Sequence, residues 1–245
     1  MTIENKVVAI TGAGRGIGRA TALHLAARGA RLVLGARSEA EIAAVAETID
    51  EAGGEAVFRA TDVTRRADLQ ALVDLACARY GRLDVIVNNA GIGPISRFDA
   101  LRVEEWDAMI DVNLKGALYG LAAALPVFAA QQTGHVVNVI STAGIKIVPT
   151  MGVYAATKNA LRTATEALRQ ESGANLRVTE VSPGFIDTGF ADASITDPDL
   201  KAAIQERRHA IAIAPDSIAR AIGFAIEQPD DVEIGSIVVR PTAQD

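Results

Sequence analysis

The chain has 245 residues, 49% of them hydrophobic, and its mean hydropathy is +0.21. That supplies a sizeable core and excludes a disordered chain. Acidic side chains outnumber basic ones 30 to 24, a formal charge of −6, which argues against a nucleic-acid binder and leaves Arg65-Arg66 and Arg207-Arg208 as solvated helix surface.

The first apolar run, Val7–Ile10, reads as a strand buried on both faces. It runs straight into Thr11-Gly12-Ala13-Gly14-Arg15-Gly16-Ile17-Gly18 and a helix over 17–28. Gly12, Gly14, Gly16 and Gly18 permit a tight turn and close approach of the backbone to phosphate oxygens. The helix start behind Ile17 offers free N–H groups and partial positive charge to a pyrophosphate. No Gly-Lys-Ser/Thr ending marks a P-loop, so the turn points to a dinucleotide rather than a nucleoside triphosphate.

The second strand, Arg31–Gly35, ends with Gly35-Ala36-Arg37 where an NAD site commonly carries an acid for the ribose 2′-hydroxyl. Arg37, joined by Arg15 from the turn, instead suits a 2′-phosphate, so NADP is expected over NAD. A helix over 39–52, a strand over Val57–Ala60, a helix over 66–80 and a strand over Val85–Asn88 follow. Cys77, the single cysteine, falls in the third of these helices as a small buried hydrophobe with no disulfide partner. His24, His135 and His209 lack ligand spacing, so no metal is expected.

A long helix is predicted over 103–130. Its apolar run Ala117–Ala130 contains Gly120 and Pro126 and falls short of the ~18 residues of a membrane span. With no signal segment at the start, the expectation is a cytoplasmic protein without a membrane partner. The strand His135–Ile140 leads to Ser141, and a helix over 152–172 carries Tyr154 and Lys158 four residues apart on one face. A cation there would stabilise a phenolate and let the tyrosine exchange a proton with a carbonyl or carbinol oxygen. The strand Arg177–Val181 precedes an unassigned stretch, 189–212, read as a lid over substrate, then a helix over 215–227 and a strand over Ile234–Arg240.

Strand and helix alternate throughout. The fold expected is α/β: a single-domain, doubly wound parallel sheet of about seven strands, Rossmann-like, with helices on both faces.

The turn at 11–18, Asp62-Val63, Asn88-Asn89-Ala90-Gly91, Asn113, Ser141, Tyr154, Lys158 and Pro183-Gly184-Phe185 with Thr188 occur in one order and register. In these the chain resembles the short-chain dehydrogenase/reductase family over nearly its whole length, although Ile140 stands where many members have another serine. The resemblance implies that Tyr154 is the acid/base, that Ser141 holds the reacting oxygen, and that Lys158 binds the nicotinamide ribose and lowers the Tyr154 pKa. It implies that Asn113 holds a relay water, that Asp62 and Val63 meet the adenine, and that Asn89 lies along the adenosine ribose. Gly184, Ile186 and Thr188 join the cofactor set, the last two at the carboxamide. It also implies a homodimer or homotetramer packed through the helices around 103–130 and 152–172.

The function expected is an NADP(H)-dependent oxidoreductase interconverting an aldehyde or ketone and an alcohol. The alternatives are an NAD-dependent alcohol or hydroxy-acid dehydrogenase and a non-catalytic dinucleotide-binding protein. The substrate is expected to be a medium-sized, mostly apolar carbonyl or alcohol compound bound by Ile92–Ile95, Ile145–Met151, Phe185 and Phe190–Leu200. No convergent arginine pair is apparent, though Lys146 and Arg97 can contribute charge.

Overall fold

The structure is a computed structural model that describes residues 3–190, 195 and 197–244. Seven strands form one parallel sheet: β1 (Val7–Thr11), β2 (Arg31–Ala36), β3 (Glu55–Ala60), β4 (Val85–Asn88), β5 (Gly134–Val139), β6 (Leu176–Pro183) and β7 (Ser236–Val239). Their order is β3-β2-β1-β4-β5-β6-β7. The central strands are apolar on successive residues because both faces are covered. Val8 and Ile10 point into one layer of core, and Val7 and Ala9 into the other.

Helices α1 (Gly16–Ala26), α2 (Glu39–Glu51) and α8 (Asp216–Glu227) cover the first face, and α3 (Arg66–Tyr80) and α5 (Gly116–Gln131) pack on the second. α6 (Gly152–Glu171) packs against β6. The chain leaves β1 toward β2 and β3, then returns to β4 on the other side. A crevice therefore opens at the carboxyl ends of β1 and β4, the switch point where such sheets bind ligands.

Three elements differ from the sequence reading. The helix expected over 103–130 is interrupted: α4 (Val103–Met109) passes into a π-helical turn, Ile110–Lys115, before α5. Taken as one unit, Val103–Gln131 is a helix of 29 residues, long and apolar enough to cross a membrane by length and composition. It is longer than its uninterrupted apolar run suggested. Its apolar residues Leu121, Ala123, Ala124 and Phe128 are spent in the core beneath β1 and β4.

The stretch 189–212 contains a helix, α7 (Pro198–Ile211), although 191–194 and 196 lie outside the described residues. The Asp197 carboxylate accepts from the N–H groups of Asp199 and Leu200, both at 3.0 Å, and Pro198 occupies the first turn. Cys77 is half-exposed rather than buried, because its side of α3 faces outward while Leu69, Leu72, Val73 and Ala76 face the sheet.

Candidate active site

The glycine turn follows β1 and is built for close approach. Gly12 and Gly16 adopt φ of +67° and +55°, and a Cβ on Gly18 would lie 2.2 Å from the Gly12 carbonyl oxygen. Asn89, expected along a ribose, lines the crevice and also braces this turn: its Nδ2 donates to the carbonyls of Thr11 (2.9 Å) and Gly12 (3.2 Å). The Thr11 hydroxyl accepts from the N–H groups of Asn89 and Ala90 at 3.0 and 3.1 Å, which locks β4 onto the same turn. The α1 start has no side-chain cap, and Thr188 lies directly over Gly16. Free N–H groups at a helix start behind a turn with no side chains fit a pyrophosphate, so this cradle accepts a dinucleotide.

Arg15, Ile17, Arg37, Asp62 and Val63 line the crevice beside the turn, as expected. The sequence reading found no acid at the end of β2; the structure brings in Glu41. One turn into α2 behind Ser38, whose hydroxyl accepts from the Glu41 N–H at 3.3 Å, Glu41 folds back over the glycine turn. Its carboxylate oxygen lies 2.9 Å from where a Gly14 Cβ would be. The signal was its place one turn after a helix cap, the face that packs toward the preceding βα turn. Burial pushes the Asp62 carboxyl up. Hydrogen bonds from the Thr64 N–H and hydroxyl, with the charges of Arg37 and Arg65, outweigh that and hold it below its ordinary value.

Across the crevice, Ser141 stands two residues past the end of β5 while α6 presents Tyr154 and Lys158 one turn apart. The Ser141 hydroxyl accepts from the Ala143 N–H at 3.1 Å and lines the same crevice as the Tyr154 phenol. Lys158 is 4% exposed, and its Nζ donates to the Val139 carbonyl at 2.9 Å. Burial draws its ammonium down from 10.5 to about 8.

The expectation that Lys158 lowers the Tyr154 pKa does not hold in this structure. Burial raises the phenol above its ordinary value, and Ser141 is the group that pulls it back. Burial is the dominant cause, and the Lys158 charge is not among the groups that shift the phenol.

The Asn113 side chain is committed to the backbone. Its Oδ1 accepts from the Ile92 N–H at 2.8 Å, and its Nδ2 donates to the Ile92 carbonyl (2.9 Å) and the Thr157 hydroxyl (3.2 Å). This pins the loop after β4 to α6. Asn113 sits within the π-helical turn, where the widened helix frees backbone groups, a feature that recurs at functional sites.

The whole crevice has a volume of about 1330 Å³. Its substrate end is walled by Ile92, Ile95, Ile145, Met151, Phe185 and Phe190. Gly184 and Ile186 also line it, and the Ile186 segment is bridged to Ile213. The Phe190 ring lies 6.0 Å from that of Tyr154 and packs onto Gly93, where a Cβ would meet it at 2.4 Å.

Two charge assignments change. Arg97 faces Asp99, not the crevice, and does not contribute. Arg207 and Arg208, read as solvated surface, line the wall together with Lys146 and Arg240. The apolar α7 side chain that lines the wall is Ile204 rather than Leu200. The sequence reading missed these because α7 was not recognised as a helix, so the face it turns inward was invisible. Trp106 stacks edge-on with Phe98, ring centroids 5.8 Å apart, and packs beside the site.

A parallel sheet with a glycine-turn cradle and a Ser–Tyr–Lys cluster across the switch point defines a dinucleotide-binding oxidoreductase. The sequence profile of the short chain dehydrogenases matches residues 6–199, and the chain belongs to the short-chain dehydrogenase/reductase family. It is 47% identical over 247 residues, 100% of this chain and 99% of the relative, to an uncharacterised oxidoreductase of Listeria monocytogenes. It is similar to an alcohol dehydrogenase of the archaeon Thermococcus sibiricus solved with 5-hydroxy-NADP: TM-score 0.87, 32% identity, 99% of both chains. A Burkholderia phymatum short-chain dehydrogenase/reductase solved with NAD gives a TM-score of 0.88 at 29% identity, over 97% of this chain and 90% of that one.

Proposed function

We propose that the protein is an NADP(H)-dependent oxidoreductase that interconverts a carbonyl and an alcohol. The observation that carries this reading is that Ser141, Tyr154 and buried Lys158 line one crevice with the cradle at 12–18. A nicotinamide dinucleotide, when bound, supplies or takes the hydride. Gly12, Gly14, Gly16 and Gly18 with the α1 start would hold its pyrophosphate, and Arg15 and Arg37 its 2′-phosphate. Ile186 and Thr188 would meet its carboxamide, and Lys158 its ribose hydroxyls.

The Ser141 hydroxyl, whose oxygen already accepts from Ala143, has its proton free to donate to the substrate oxygen. Tyr154 gives its proton to the same oxygen during reduction and takes it back during oxidation. A phenol held neutral by burial is primed in the reducing direction as an acid. The apolar wall suits a medium-sized, mostly apolar carbonyl compound. The described part of 189–212, with Ile204 and Arg207 lining the crevice, acts as the lid of this one-domain enzyme.

A second reading, in which NAD is used as well, is favoured by Glu41, which brings a carboxylate to the adenosine end. Oxidation of NADPH beside NADH over a panel of aldehydes, ketones and quinones tests both. Turnover of no carbonyl with either cofactor rules out the enzyme, and equal rates at limiting concentrations of each select the second reading. Exposed Ile110 and Leu118 on the long helix suit a subunit interface, and a dimer or tetramer by light scattering at micromolar concentration is expected.

A further inference from the structure

The crevice wall includes a segment the mechanism does not use: the residues after β7. Pro241 is buried, and the Gln244 N–H donates to its carbonyl at 3.1 Å, closing a four-residue turn that aims the Gln244 side chain inward. Gln244 Oε1 accepts from the Phe185 N–H at 2.8 Å. Because a backbone N–H can only donate, the amide orientation is set: Nε2 must face away, where it donates to the Thr142 hydroxyl at 3.4 Å.

One side chain therefore bridges two loops that carry the chemistry. Thr142 follows Ser141 in the loop after β5, and Phe185 precedes Ile186 and Thr188 in the neighbouring loop after β6. The identity of Gly184 follows from the same contact. A Cβ there would lie 2.3 Å from Gln244 Oε1 and 2.7 Å from the Arg240 Cβ, so only glycine lets the segment reach this depth. The Gly184 N–H donates to the Val239 carbonyl at 2.8 Å, which ties the start of the Phe185 loop to β7 itself. Sheet pairing thus holds one end of that loop, and the Gln244 amide holds the next peptide.

We propose that Gln244 is a positioning residue that sets the distance between the Ser141 loop and the Phe185–Thr188 loop, and hence between the substrate oxygen and the face from which hydride arrives. It touches no reacting atom. Its effect runs through Thr142 on one side and the Phe185 peptide on the other. Misplacement by about 1 Å between reacting groups can lower a rate by ~10²-fold, so losing one of several constraints should cost about 10-fold.

The test uses the full chain with Gln244→Met, Thr142→Val and the double variant. Each single variant should lower kcat about 10-fold, with the NADPH dissociation constant, read by cofactor fluorescence, within about 3-fold of the unmodified protein. The double variant should be no more than about 2-fold slower than the worse single one, since both break the same bridge. Amide hydrogen exchange at Phe185 should be at least ~10-fold faster in Gln244→Met. Wild-type kcat in Gln244→Met, whatever its melting temperature, overturns the proposal. So do losses that multiply in the double variant, or a loss confined to cofactor affinity. The kcat arm rests on the oxidoreductase reading, and absence of turnover by the unmodified protein defeats that reading instead. The exchange arm does not depend on it: unchanged Phe185 exchange in Gln244→Met overturns the bridge on its own.

Discussion

The two walls of the crevice are built on opposite plans. The wall that would hold the dinucleotide phosphates is one short run of chain, Thr11–Gly18, in which backbone does the work and side chains are absent where contact is closest. The facing wall is assembled from β5, α6, the loop after β6, α7 and the segment after β7, and side chains do the work. The first depends on glycine and a helix start. The second depends on burial: Lys158 is enclosed, the Tyr154 phenol is half-buried at the crevice, and burial shifts the proton affinity of both. A change on one wall should therefore leave the function of the other intact, and this separation can be tested.

The largest effect belongs to the second wall. Tyr154→Phe keeps the ring against Phe190 and removes the proton donor, so kcat should fall ~10²–10⁴-fold. Cofactor affinity should barely change, because the cradle is untouched. Near wild-type turnover would remove Tyr154 from the mechanism.

Next comes cofactor choice, which belongs to the first wall. Hydrogen bonds to charged groups contribute ~1.5–3 kcal/mol each, trimmed by exposure at this rim. From one or two such contacts by Arg15 and Arg37, we expect kcat/KM to favour NADPH over NADH by roughly 10–10³-fold at low salt. Ala36→Asp with Arg37→Ile should reverse the preference while kcat at saturating cofactor holds. A reversal accompanied by collapse of kcat would mean that the walls are coupled.

Lys158 offers a test through stability. Its folded pKa of about 8 lies below the ordinary 10.5. Between these values the unfolded chain holds a proton that the folded chain has released, so stability rises with pH through this window. It is lowest below pH 8, where the folded protein must keep a buried cation. Lys158→Met should abolish most turnover yet raise the melting temperature of the cofactor-free protein at pH 7, by about 1–3 kcal/mol of stability. A lower melting temperature would show that the Val139 hydrogen bond outweighs desolvation.

The smallest expected effect is at Glu41. Glu41→Gln removes a like charge from the site of the 2′-phosphate and should raise the NADPH-to-NADH ratio of kcat/KM about 3–5-fold, the ~0.5–1 kcal/mol scale of exposed charge pairs. A fall in that ratio would mean that Glu41 does not face the phosphate.

Much of this protein was legible in its sequence because the relevant physics is local. A strand buried on both faces must be apolar on successive residues, so Val7–Ile10 and Val85–Asn88 declared themselves, and their alternation with helices implied the parallel sheet. The glycine turn and the Tyr154–Lys158 spacing each lie within one turn or one helix, where sequence distance fixes spatial distance. Other features were decided only by tertiary structure. Asn113 meets Ile92, Gln244 meets Phe185 and Glu41 meets Gly14 across separations that no period of helix or strand encodes. The arginines of α7 changed from surface to pocket wall once that helix was placed. The proton affinities of Tyr154 and Lys158 belong to this second group, because desolvation is set by everything packed around a group rather than by its neighbours in the chain.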